Sequence, residues 1–234
     1  MGHGDGDRVD SFVANSGNVA RRIRRYYGRT SEVVFPPVEV DAFTPTRGHD
    51  GFYLLAGQLV GYKRADLAVE AFNRSGRPLV VIGAGEQLEH LRRIAGPNVQ
   101  VLGPQPFASL RDHYARCRAL IFPGEEDFGI VPVEAMASGK PVIAYGRGGA
   151  LETVVEGRTG LFFHRQTVDD LNEAVARFEA AERRFSVDEI AAHARTFDAS
   201  VFRREMEAVI ARALAQNQLP GIPLAPPAAA RAAG

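Results

Sequence analysis

Short apolar runs alternate with amphipathic stretches along most of the chain, a pattern that predicts βα units around a parallel sheet. Strands are expected at Ser11 to Asn15, Val33 to Phe35, Phe52 to Gly57, Leu79 to Ile82, Val99 to Leu102, Ala119 to Pro123, Val142 to Tyr145 and Gly160 to Phe163. Helical spacing follows most of them. Ser16 or Asn18 caps a basic helix through about Tyr27, with Gly28 as its stop. Ala65, Ala68, Ala71 and Phe72 mark a helical face, and further helices run to Ile94, from Ser109 to Cys117, and from Ala150 to Glu156. Val168 to Ala181, Val187 to Thr196 and a last helix carrying Phe202, Met206, Val209, Ile210, Ala213 and Leu214 on one face complete the set. Val38 to Asp50 reads as a polar connection, a subdomain linker. The expected fold is α/β, one doubly wound Rossmann-like parallel sheet with trailing C-terminal helices. Residues 1–10 form an extension, 11–216 the domain, and 217–234 a Pro/Ala-rich tail expected to be disordered.

The densest chemistry lies in EEDFGIVPVEAMASGKPVIAYGRGG, Glu125 to Gly149, where Glu126 and Glu134 stand eight positions apart around a turn that opens a helix. Pro132 suits the first helical position and Glu134 the first turn, while Gly139 and Pro141 end the helix. Gly124 to Val131 is thus a strand-to-helix connection at the C-terminal edge of a parallel sheet, where open α/β folds bind ligands. A helix start offers N–H groups to an anion, and carboxylates offer acceptors to hydroxyls.

Composition narrows the function classes. The chain has 234 residues, 45% hydrophobic and 24% charged, with a formal net charge of zero, so nothing points to nucleic acid. One cysteine, Cys117, excludes an internal disulfide framework, reads as a buried inert thiol, and leaves the cytoplasm as the default compartment. No apolar run reaches the ~18 residues of a membrane helix. The six histidines are scattered, without metal-ligand spacing. The basic run Arg21 to Arg25 reads first as a solvated helix face, with peripheral docking at a membrane surface as the second reading.

Familiar motifs fail on inspection. Gly83-x-Gly85 follows a strand as a dinucleotide fingerprint does, but Leu88 occupies the third glycine position. Gly124 and Gly129 have P-loop spacing, but Ile130 and Val131 stand where Lys and Ser/Thr belong. Ser138 lacks a nucleophile-elbow context. The glutamate pair remains, together with a basic turn, Gly57 to Arg64, in which Lys63 can reach a diphosphate as a point charge. A cationic and an acidic strand end framing one cleft suit a nucleotide diphosphate sugar better than a plain phosphate. Arg64 reads more evenly between ligand and solvent, and Gly83 and Gly85 between a tight structural turn and ligand proximity. Gly148, Gly149 and Glu152 read first as a turn and a helix cap.

The segments ANSGNVARRIRRYYGR, VVFPPVEVDAF, GQLVGYKRADLAVEAF, VIGAGE, NVQVLGPQ and the Glu-x7-Glu block stand in one order from Asp7 to Leu214. In that order they resemble the C-terminal, donor-binding domain of a family-four GT-B retaining glycosyltransferase, nearest to bacterial mannosyltransferase-like members. The resemblance implies roles. Glu126 would bind hydroxyls of the transferred hexose and Lys63 would neutralise the diphosphate. Backbone amides of Phe128, Gly129, Ile130 and Val131 would hold sugar and phosphate, and Glu134 the ribose. Gly103 to Gln105 would border the base. It implies no metal and no cofactor beyond the nucleotide sugar substrate. Gln58 stands where many members have arginine, which shifts the burden of diphosphate binding to Lys63 and Arg64. The chain begins about where an N-terminal acceptor-binding domain should be ending, so the expectation is half an enzyme, needing that domain or chain as partner. Apolar surface should then lie uncovered and cause weak self-association. The competing expectations are a non-catalytic or vestigial nucleotide-sugar-binding module and a GT-B epimerase, for which catalytic residues are not evident.

Overall fold

The computed structural model describes residues 9–216. The expectations for the first residues and for the Pro/Ala-rich tail from 217 onward lie outside the described residues. Six parallel strands form the central sheet: β3 (Tyr53–Ala56), β4 (Leu79–Ile82), β5 (Val99–Gly103), β6 (Leu120–Phe122), β7 (Val142–Tyr145) and β8 (Gly160–Phe163), in the order β5-β4-β3-β6-β7-β8. A separate parallel pair, β1 (Val13–Ala14) and β2 (Glu32–Val33), brackets α1 (Gly17–Tyr27). The other helices are α2 (Ala65–Ser75), α3 (Leu88–Ile94), α4 (Phe107–Arg116), α5 (Ile130–Ala137), α6 (Ala150–Thr153), α7 (Val168–Ala181), α8 (Val187–Ala194) and α9 (Ala199–Gln216).

Alternation along the strands explains the two helical layers. Leu54, Val80, Leu120 and Val142 face a core shared with Tyr114, Met136 and Ile190 from α4, α5 and α8. Their strand neighbours Tyr53, Leu55, Leu79, Val81, Ile121 and Ile143 face the opposite core, with Phe72 of α2, Leu91 of α3 and Phe178 of α7. Strands covered on both sides read as continuous apolar runs rather than as alternation. Local signals set the helix ends. Ser16, the first of the two candidate caps, accepts from the Val19 N–H, and Gly28 closes α1 in the left-handed region at φ 64. Thr167 and Ser186 cap α7 and α8.

Three expectations need correction. Val38 to Asp50 is not a free linker: Val38, Val40 and Phe43 are buried, and the buried Lys140 ammonium donates to the Thr46 and Gly48 carbonyls at 3.2 and 2.6 Å. The apolar residues of this stretch, Val38, Val40, Ala42 and Phe43, are too few and too closely grouped to mark a strand or a helix, so sequence pattern alone gives a connection. The helix expected from Ala150 to Glu156 ends at Thr153, since the chain must turn before β8. Helix α5 begins at Ile130, so Pro132 is its third residue and Glu134 lies in its second turn, not its first. The proline forfeits no intrahelical hydrogen bond, because the third N–H of a helix has no intrahelical partner. The expected stop at Gly139 holds: it sits at φ 76, its N–H reaches the Met136 carbonyl at 2.8 Å, and the Lys140 N–H reaches Ala135 at 2.9 Å, a Schellman motif.

Candidate functional site

The chain runs outward from β3 to β5, then returns to β6 on the other side of β3. Loops leaving β3 and β6 therefore diverge, and a crevice opens at the C-terminal edge between them. Each loop is shaped by close backbone approach. After β3, the turn from Gly57 interlocks with the turn after β4: the Leu59 N–H donates to Ala84 at 2.8 Å and the Gln87 N–H to Leu59 at 2.9 Å. A Cβ on Gly83 would stand 1.8 Å from the Gly57 carbonyl oxygen, so Gly83, at φ 152, is required for that packing. A 3-10 turn, Gly61–Lys63, follows, and Arg64 enters α2 at φ 55, the only left-handed non-glycine among the described residues.

The loop after β6 lies directly against this turn. A Cβ on Gly124 would meet the Lys63 Cα at 2.7 Å. The Glu126 carbonyl accepts from the Gly149 N–H at 2.7 Å. Phe128 is buried against Phe35 and Phe197, with ring centroids 5.5 and 5.6 Å away. The loop is thereby fixed on both sides of Glu126, and the Lys63 Nζ and Glu126 Oε1 meet at 3.0 Å, their side chains 18% and 19% exposed. Just beyond, Gly129 turns the chain at φ 90 into α5, whose N-terminus has no side-chain cap. The first amides of α5 and the positive end of its dipole thus accompany the ion pair.

A cavity of about 630 Å³ contains this arrangement, lined by Asn15, Pro36, Tyr62, Lys63, Glu125, Glu126, Asp127, Phe128, Gly129, Ile130 and Val131. That volume is ordinary for a small-molecule site. Of the residues expected from sequence, Lys63, Glu126, Phe128, Gly129, Ile130 and Val131 come together here. Five others do not line the cavity. Arg64 turns to Asp66 at 3.2 Å, and Gln58 is exposed in the turn after β3. Gly103 is buried at the end of β5, where its carbonyl accepts from the Gly83 N–H, and Gln105 contacts the Leu102 carbonyl and Ser109. Glu134 is half-buried: its Oε2 accepts from the Tyr114 hydroxyl at 2.8 Å, and burial raises its carboxyl above the ordinary value, against the opposing effect of that bond. Sequence reading missed Asn15, Pro36, Tyr62, Glu125 and Asp127. Asn15 and Pro36 follow β1 and β2, so the strand-end rule that singled out Lys63 and Glu126 would have found them.

The family model for glycosyl transferases group 1 matches residues 39–194. The chain belongs to this family. A GDP-mannose-dependent alpha-(1-6)-phosphatidylinositol monomannoside mannosyltransferase of Mycobacterium tuberculosis is 31% identical over 74% of this chain and 53% of its own length. A D-inositol 3-phosphate glycosyltransferase of Geodermatophilus obscurus is 30% identical over 93% of this chain and 57% of its own. The chain spans about half the length of the curated relatives it matches. Among solved structures, Anabaena HepE in complex with UDP and glucose superposes with a TM-score of 0.75 at 18% identity, covering 87% of this chain and 63% of that one. Sucrose-phosphate synthase of Thermosynechococcus elongatus gives 0.76 at 22%, covering 87% and 58%. At these identities the likeness establishes the fold: a Rossmann-like GT-B glycosyltransferase domain.

Proposed function

We propose that this chain is the donor-binding half of a retaining glycosyltransferase that moves a hexose from a nucleotide diphosphate sugar to a saccharide or lipid-linked acceptor. The observation that carries the reading is the Lys63–Glu126 pair at 3.0 Å beside the uncapped start of α5, in one cavity. Glycosyl transfer builds negative charge on the departing diphosphate. Lys63 and the amides of Ile130 and Val131 are fixed donors for that charge, and fixed donors stabilise a transition state without reorganising. Glu126 takes the sugar hydroxyls. Glu134, with Oε2 bonded to Tyr114, takes a ribose hydroxyl through Oε1, and the base lies toward Gly103 and Gln105 at the end of β5. Lys63 and helix-start amides supply the positive charge that a metal would otherwise bring, so the reading needs none. The leaving phosphate assists the incoming hydroxyl on the same face, which retains configuration.

Mannose from GDP-mannose is the first choice of donor, supported by the mycobacterial relative's name; a UDP-hexose is the second, supported by the UDP named for HepE. An acceptor-binding partner is favoured by β1 and β2. Parallel strands are ordinarily covered on both faces, yet Val13 and Val33 are 37% and 39% exposed. Among the described residues no helix is long and apolar enough to cross a membrane. The reading places the protein in the cytoplasm, with α1 as a membrane-facing surface if the acceptor is a lipid. Transfer assays with an acceptor-binding domain present, supplied as a separate chain, wild type against Glu126→Ala, test the proposal. Transfer by the wild type and its loss in the variant are expected; no transfer of any hexose by the complemented wild type would overturn it.

A further inference from the structure

Helix α1 begins with three N–H groups that lack intrahelical partners. Ser16 takes that of Val19 at 3.1 Å. The other two are taken from 135 and 134 positions away: Glu152 accepts from Gly17 through Oε2 at 2.7 Å and from Asn18 through Oε1 at 2.8 Å. The carboxylate approaches so closely that a Cβ on Gly17 would stand 3.2 Å from it. One turn further along, Arg22 grips both oxygens of Asp127 at 2.8 and 3.1 Å, and the Asn18 amide adds a bond at 3.2 Å. Asp127 is the residue after Glu126. The segment that carries Glu152 also holds that loop from behind, through the bond from the Gly149 N–H to the Glu126 carbonyl.

We propose that Glu152 is a positioning residue for the cavity. By capping α1 with both carboxylate oxygens it sets the helix against the β6 loop, and α1 in turn, through Arg22 and Asp127, fixes the direction of Glu126. Sequence reading placed Glu152 as a helix cap; the helix it caps is in a different βα unit, and the bond closes a ring of Glu152, α1, Asp127, Glu126 and Gly149. The proposal rests on the donor-site reading for its effect on ligand, but the tie itself is independent of any ligand.

Hydrogen exchange on the full chain without nucleotide, followed at 16–22 and 125–130, tests the tie. Glu152→Ala should speed exchange about tenfold in the first turn of α1, where a cap is lost, and measurably at 125–130; Glu152→Gln, which keeps one acceptor, should fall between. Arg22→Ala should speed exchange at 125–130 while leaving the first turn of α1 protected; a purely local cap would leave 125–130 unchanged in Glu152→Ala. Calorimetric titration with GDP and UDP should show the same ranking, with affinity about tenfold lower in Glu152→Ala. Unchanged exchange at 125–130 in both Glu152→Gln and Arg22→Ala would overturn the proposal, as would undiminished nucleotide affinity in a folded Glu152→Ala. If the wild type bound neither nucleotide, the donor reading would fail, while the exchange data would still decide the tie.

Discussion

Lys63 and Glu126 occupy the half-buried middle ground of protein electrostatics. For such a pair the Coulomb gain is offset in part by the cost of desolvating both charges, so holding the fold together is not its main effect. In the proposed reading the pair opens to a ligand that is anionic at one end and hydroxylated at the other, with Lys63 taking the first and Glu126 the second. Glu134, although it belongs to the same motif, sits in a different environment. Burial raises its carboxyl above the ordinary value of 4.5, so the folded state binds its proton more tightly than the unfolded chain does. Stability should therefore fall as pH rises through the window from the ordinary value to the raised one, and above that window the penalty is complete. Glu134→Gln keeps an acceptor for Tyr114 and removes the charge. Urea unfolding across this window should show the slope flattened in the variant; an unaltered slope would mean that Glu134 is better solvated than its surroundings indicate.

At the scale of elements, the site is made by loops whose shape depends on missing side chains. A Cβ on Gly149 would stand 2.3 Å from the Phe128 Cα, a backbone atom that cannot move without shifting the loop that carries Glu126. Gly149→Ala should cost about 1–3 kcal/mol in denaturant unfolding. Gly61→Ala, in open space and outside the left-handed region, should be neutral or mildly stabilising. These elements also show what was legible in the chain. Val142–Tyr145, Gly160–Phe163 and Val168–Ala181 lie where periodicity places them, because burial and capping there are local signals. Pro132 misled: proline is favoured at the first helical position, but its missing N–H is also unused at the third, and the true start at Ile130 is set by Gly129, which a pattern of apolar residues does not register. Glu134 takes its expected ribose role from the family resemblance. Spacing places it on α5, but only packing against Tyr114 decides which way it points.

For the whole molecule, the doubly wound sheet was readable from the alternation of apolar runs and amphipathic stretches, and the site followed from it, since Lys63 and Glu126 lie in the loops after the two strands that flank the reversal in strand order. Asn15 and Pro36 follow β1 and β2, which pair with each other and not with the main sheet, so the strand-end rule points to these residues but not to the cavity they share with Lys63 and Glu126. That small sheet leaves Val13 and Val33 exposed, with Tyr26 and Tyr27 on the adjacent helix. Apolar surface of this kind favours association, so elution from a sizing column should shift to larger apparent size with concentration; a constant monomeric position would show that the surface is tolerated by water. The central claim, that a sugar nucleotide occupies the cavity between the β3 and β6 loops, is tested most directly by calorimetric titration of the chain with a panel of GDP- and UDP-sugars, wild type against Lys63→Ala. The account predicts saturable binding of at least one nucleotide sugar by the wild type. It also predicts an affinity lower by about 1.5–3 kcal/mol in the variant, as expected for a hydrogen bond to a charged group. Binding that is equally tight without Lys63, or no heat with any member of the panel, would contradict it.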